Sequence, residues 1–231
     1  MSSLRNTEYW QEKRLYGTPV AVIDFETTGI NCDNERVIQV AIVHNYLGMN
    51  QSTIAYKGYI NPCCAIPPSS MKIHGITNEQ VKSAPTFEAA KDDILEHLDG
   101  RLLAAYNLPF DFGFLNAELK RLDIEPLSWF GICGLVLAKY VDTQSVGRGY
   151  HRLENVAKRR NMTFKAHDAA EDALVTSRLL DTLLGEASKK WGSRFKQVRE
   201  YWSFQREQGI IQERKMRSFV KGSRGWPWTD W

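Results

Sequence analysis

Val20-Ala21-Val22-Ile23-Asp24-Phe25-Glu26-Thr27-Thr28-Gly29 is the stretch on which the fold turns. An unbroken apolar run predicts a central strand buried on both faces. It ends in two carboxylates one residue apart, and alternate residues of a strand share a face. Asp24 and Glu26 therefore point the same way. Two such charges repel by a few kcal/mol at a protein surface, and a shared proton or a bound cation relieves the repulsion. A lone Asp-x-Glu is most often a solvated strand end, so the pair gains meaning only if further acids converge on it.

Working outward, Val37–Val43 and Ser52–Ile60 flank a turn at Gly48-Met49-Asn50 and read as a hairpin. Pro62, Pro67 and Pro68 then break the backbone. Thr77 to Gln80 opens a short helix with a capping-box pattern, and Thr86 to Leu98 reads as a longer amphipathic helix. Leu102–Tyr106 is a compact apolar strand, Pro109–Leu122 a helix with Pro in its first turn, and Trp129–Cys133 a last short strand followed by a helix through Lys139. Helices over Leu153–Arg160 and Asp168–Leu184 complete the pattern. Hairpin first, then alternating helix and strand, gives an α/β fold with a mixed sheet and helices on both faces.

Two of these helices carry an acid on an otherwise apolar stripe near the N-terminus. In the last, Asp168 and Glu171 form an Asp-x-x-Glu cap, which places His167 at N′ and Asp172 at N4. Asp172 shares its stripe with Val175, Thr176, Leu179 and Leu183. Asp111 shares one with Phe114, Leu115, Leu119 and Leu122. Each acid alone fits a helix-start charge favoured by the macrodipole. A carboxylate on a buried stripe needs a partner or an ion, and four acids with a histidine at their edge are harder to dismiss.

The same residues resemble the 3′–5′ exonucleases with the Asp-Glu-Asp-Asp-His motif set, the group that includes the proofreading epsilon subunit of bacterial DNA polymerase III. Asp24-Phe25-Glu26-Thr27-Thr28-Gly29 is similar to the first motif, Asn107-Leu108-Pro109-Phe110-Asp111 to the second, and His167-Asp168-Ala169-Ala170-Glu171-Asp172 to the third. His74-Gly75-Ile76-Thr77 resembles the segment which that family sets beside the terminal nucleotide. The resemblance spans residues 18–185 and implies a ribonuclease H-like mixed five-stranded sheet. It implies hydrolysis of the 3′-terminal phosphodiester of DNA, releasing nucleoside 5′-monophosphates. Asp24, Glu26, Asp111 and Asp172 would hold two Mg2+ or Mn2+ ions, with His167 as general base. Phe25, Thr27, His74, Ile76, Asn107 and Phe110 would bind a single-stranded 3′ end. Tyr106 departs from the histidine of many members, and Asp142 lies later than the acid some carry; both bear on substrate preference. An RNA-directed exonuclease and a catalytically silent binding module of the same fold remain the alternatives.

Net charge is +3, spread unevenly. Residues 187–231 hold eleven Lys/Arg and four Asp/Glu, or +7, leaving −4 on residues 1–186. The organisation expected is an N-terminal arm over 1–17, an exonuclease domain over 18–186 and a basic, Trp-rich extension over 187–231. Five of the seven tryptophans lie in that extension, interleaved with cations. It suits base stacking over a phosphate-neutralising surface, extra core, or docking of a polymerase or other replication or repair protein. The four cysteines, Cys32, Cys63, Cys64 and Cys133, lack Cys-x-x-Cys spacing and read as reduced thiols. No apolar run reaches the roughly 18 residues of a membrane span, and the opening residues have no signal-peptide h-region, which predicts a cytoplasmic protein.

Overall fold

A computed structural model describes residues 7–128, 130–143, 149–191 and 195–219, with the side chains of 191 and 210–219 left out. The expectations placed on Trp129, Trp191 and Phe219, on Trp226, Trp228 and Trp231, and on the first six residues fall outside what it describes. The five strands β1 (Pro19–Thr27), β2 (Val37–Tyr46), β3 (Thr53–Tyr59), β4 (Leu102–Ala105) and β5 (Gly131–Cys133) form one mixed sheet in the order β3-β2-β1-β4-β5. β1 lies at its centre, antiparallel to β2 and parallel to β4, and Val20 to Ile23 are fully buried. The apolar run is thus explained by cover on both faces.

The helices, in chain order, are α1 (Thr7–Gln11), α2 (Pro68–His74), α3 (Asn78–Lys82), α4 (Phe87–Leu98), α5 (Leu108–Arg121), α6 (Gly134–Val141), α7 (Leu153–Lys158), α8 (Ala169–Trp191) and α9 (Val198–Phe219). One sheet face packs Ile23, Phe25 and Leu103 against α4 and α5; the other packs Val20, Val22 and Ala104 against α6, α8 and α9. Each face leaves one acid-bearing helix with its N-terminus near the end of β1.

Three features sharpen the sequence reading. Pro67 and Pro68 do not simply break the chain: Pro68 is the first residue of α2, where a missing N–H is harmless, and Gly75 ends the helix with φ 75°. The N-terminal segment is not a loose polar arm, because Trp10 and Leu15 are buried in the main core. Its Leu15 N–H donates to the Lys196 carbonyl at 2.9 Å, and the Val198 N–H returns a bond to Lys13 at 2.9 Å. Finally, Phe195, Tyr201 and Phe204 are at most 7% exposed, so these aromatics of the basic extension are core and offer no face for base stacking.

The start of α9 also closes a sheet edge. Gln205, fully buried, accepts the Cys133 N–H at 2.6 Å and donates to the Gly131 carbonyl at 2.9 Å. One side-chain amide thereby replaces a neighbouring strand on the outer edge of β5. Gln205→Ala would leave two buried backbone groups unpaired, each worth about 1–3 kcal/mol. A loss of about 2–4 kcal/mol in unfolding free energy is expected by denaturant titration; a change under about 0.5 kcal/mol would show that water serves the edge equally well.

Candidate active site

β1 carries Asp24 and Glu26 out of the core, both half-buried and on one face. α5 brings Asp111 to the same strand end, where Asp111 Oδ1 accepts the Phe25 N–H at 3.0 Å. α8 brings Asp172, 8% exposed, from the other side. Its placement is fixed at the helix start: Asp168 accepts the N–H groups of Ala170 (3.1 Å) and Glu171 (3.4 Å), and Gln39 of β2 accepts that of Ala169 at 3.1 Å. Gln39 was missed as a positioning residue, although a lone amide inside Val37–Val43 is a legible signal. Asp172 Oδ2 accepts the His167 N–H at 3.1 Å, while Oδ1 is buried without a partner.

His167 has φ 65°, a left-handed conformation uncommon outside glycine. It turns the N–H toward Asp172 and leaves the imidazole exposed, with Nε2 3.9 Å from Glu154 Oε1 of α7. Sequence gave no hint of Glu154. Donor atoms of Glu26, His167 and Asp172 lie within 4.8 Å of one another, so the imidazole stands closer to the acids than a rim position alone implies.

The electrostatics are those of acids forced together. Burial, then the charges of Asp111, Asp172, Glu26 and Asp168, push the Asp24 carboxyl well above its ordinary range. Burial, then Asp172 and Asp168, lift Glu26 to about 8. Burial lifts Asp111 to about 8 against the opposing pull of the Phe25 N–H bond. Asp172 rises to about 7, mainly through burial, against the His167 N–H bond. An orphaned oxygen and unrelieved like charge make this hard-oxygen set fit for a divalent cation such as Mg2+ or Mn2+.

The other sequence-predicted residues divide. His74, the last residue of α2, accepts the Ile76 N–H on Nδ1 at 3.0 Å. That bond puts its proton on Nε2, which is buried and unpaired. Burial and the His167 charge both lower the His74 pKa. α2 is tied to the motif loop by a 2.6 Å bond from Ser70 Oγ to the Thr28 carbonyl. Asn107 caps nothing with its side chain and is half-buried; Phe110 is half-buried against Phe114, rings 4.9 Å apart. Phe25 and Ile76 are each 4% exposed, in separate apolar clusters, so neither presents a stacking face. The Thr27 hydroxyl is occupied by the Gly29 carbonyl at 2.5 Å, and the Thr28 N–H by Arg36 at 2.9 Å. Tyr106 Oη donates to the His151 carbonyl at 2.5 Å, and Asp142 pairs with Arg159 and Arg160. Both are structural.

Residues 21–180 match the model of the exonuclease family RNase_T. The DNA polymerase III subunit epsilon of Treponema pallidum is 33% identical over 171 residues, covering 73% of this chain and 78% of that protein. The epsilon subunit of Rickettsia conorii is 32% identical over 180 residues, with 71% and 73% covered. Among solved structures, E. coli Exonuclease I in complex with a dT13 oligonucleotide superposes with a TM-score of 0.63 at 19% identity, over 77% of this chain and 43% of that one. With that family model matched over most of the chain and two epsilon subunits above 30% identity, the chain belongs to the RNase_T exonucleases.

Proposed function

We propose that this chain is a metal-dependent 3′–5′ exonuclease that removes nucleoside 5′-monophosphates from a single-stranded DNA end. The observation that carries the reading is the mutual charge crowding of Asp24, Glu26, Asp111 and Asp172, with Glu26, His167 and Asp172 donor atoms within 4.8 Å and Asp172 Oδ1 unpartnered. Two divalent ions held by these acids would supply Lewis-acid stabilisation of the attacking and leaving oxygens. Asp24, Glu26 and Asp172 would hold the first, with Asp24 shared and Asp111 completing the set directly or through water. His167 takes the proton of the attacking water, its imidazole standing with Glu26 and Asp172 within 4.8 Å. Glu154 beside Nε2 stabilises the imidazolium that results. His74 orders the turn before Thr77 through its Nδ1 bond to the Ile76 N–H, Phe110 lends a partly exposed ring and Asn107 an amide with no capping role.

The test is release of label from 3′-labelled single-stranded DNA and RNA side by side, with Mg2+ or Mn2+. No release from either polymer sinks the reading, and preferential release from RNA turns it to the exoribonuclease alternative, which no contact yet disfavours at the 2′ position. His167→Asn keeps a residue that tolerates φ 65°. It is expected to lower kcat about 10²–10³-fold with the melting temperature held; retention of full rate would remove the histidine from the chemistry.

A further inference from the structure

Two rows of side chains run across the sheet face on which the acids stand. Strand register sets Glu26 opposite Gln39 and Gln39 opposite Tyr59; one pleat away it sets Asp24 opposite Ala41 and Ala41 opposite Lys57. Directly opposed residues of antiparallel strands share a face, and two strand steps span about 10 Å. In the middle of the rows, Gln39 is occupied by the start of α8 and Ala41 is buried. The rows therefore emerge at the edge strand β3 as one cation and one aromatic ring. Tyr59 is 37% exposed, and the Lys57 side chain is half exposed. Lys57 Nζ lies 3.7 Å from Oδ1 of Asp168, an oxygen already engaged in capping α8. An exposed pair of this kind contributes little, so the ammonium is held lightly and can take another anion.

A polynucleotide approaching the acids of this mouth meets like charge, and a cation with a ring beside it offsets that locally. Phosphate neutralisation combined with a stacking surface is the sequence-tolerant mode of single-strand binding. We propose that Lys57 and Tyr59 form a subsite for the nucleotide upstream of the one released, Lys57 taking its phosphate and Tyr59 lying against its sugar or base. The proposal rests on the exonuclease reading and adds to it a contact that only a polymeric substrate can make.

Lys57→Met, Lys57→Arg and Tyr59→Ser would be compared on an oligothymidylate and on the 4-nitrophenyl ester of thymidine 5′-monophosphate, which has no upstream nucleotide. Lys57→Met is expected to raise KM for the oligonucleotide about tenfold with little change in kcat, and to reduce the slope of log KM against log salt by about 0.7, the value of one single-strand phosphate contact. Selectivity for oligonucleotide over ester falls by the same tenfold. Lys57→Arg restores both, and Tyr59→Ser lowers the selectivity without altering the salt slope. Equal losses on oligonucleotide and ester would overturn the proposal by showing that Lys57 acts through Asp168 on the acids, as would an unchanged salt slope. A wild-type chain that cleaves neither substrate defeats the nuclease reading itself, and the subsite falls with it; that outcome is seen without any variant.

Discussion

Asp24→Asn is expected to lower kcat by about 10³-fold or more while making the metal-free protein more stable. The activity loss follows from removing a charged ligand at the centre of the acid group, where a bound cation contributes several kcal/mol to the transition state and each 1.36 kcal/mol is about tenfold in rate. The gain in stability follows from Asp24's surroundings. Its charged form is opposed by burial and by the charges of Asp111, Asp172, Glu26 and Asp168. A neutral amide of the same shape removes that opposition. Asp181 provides the contrast: it is the more buried of the two, yet its oxygens accept from Asn45 Nδ2 at 3.0 Å, Gly48 N–H at 2.6 Å and Asn50 N–H at 3.0 Å, pinning the β2–β3 turn. A carboxylate with every oxygen engaged serves the fold, whereas one crowded by its own kind serves a ligand. Melting in the presence of a chelator at pH 8 tests the claim: a lower melting temperature for Asp24→Asn would mark Asp24 as structural, and retained nuclease activity would remove it from the centre.

What could be read without coordinates was the part governed by periodicity and local spacing. β1, the hairpin, and the staple positions of His167 and Asp172 all follow from strand and helix repeats, and Thr77 with Gln80 forms the reciprocal capping box that the pattern announces. Convergence of Asp111 with Asp24 was legible from the gathering of sites at strand ends in an α/β sheet and from resemblance, but not from local spacing, because the bond from the Phe25 N–H to Asp111 spans 86 residues of chain. What stayed hidden is tertiary in origin. Phe25 reads as a ring beside a catalytic motif, but alternation turns it to the face opposite Asp24 and Glu26, into the cover of α4 and α5. The extension after residue 187 reads as basic and aromatic; its periodicity does not say that Phe195, Tyr201 and Phe204 meet Trp10 and Leu15 from the far end of the chain. Nothing in the local sequence around Gln205 marks it out. Only the bare edge of β5 gives it a role.

The metal-free protein is also expected to lose stability as pH rises from about 4 to about 8, and a divalent ion to reverse that loss. Unfolded carboxyl groups titrate near 4, whereas folded Glu26 and Asp111 titrate at about 8 and Asp172 at about 7. Between these limits the native state holds protons that the unfolded chain has released, so stability falls with rising pH and the fall ends once the folded groups ionise. The sign is opposite to that of an acid stabilised by an ion pair. A divalent ion binds the ionised native form, and its stabilisation grows with pH because the ligands must first lose protons; at a hundred times its dissociation constant it contributes about 2.7 kcal/mol. Melting temperatures with chelator and with Mn2+ should therefore lie close together at pH 5.5 and far apart at pH 8.5. An equal gap at both values would mean that the ion binds elsewhere than at the four acids. A gap that persists in Asp24→Asn at pH 8.5 would mean the same, since that variant lacks the carboxylate on which the charges of all the others act.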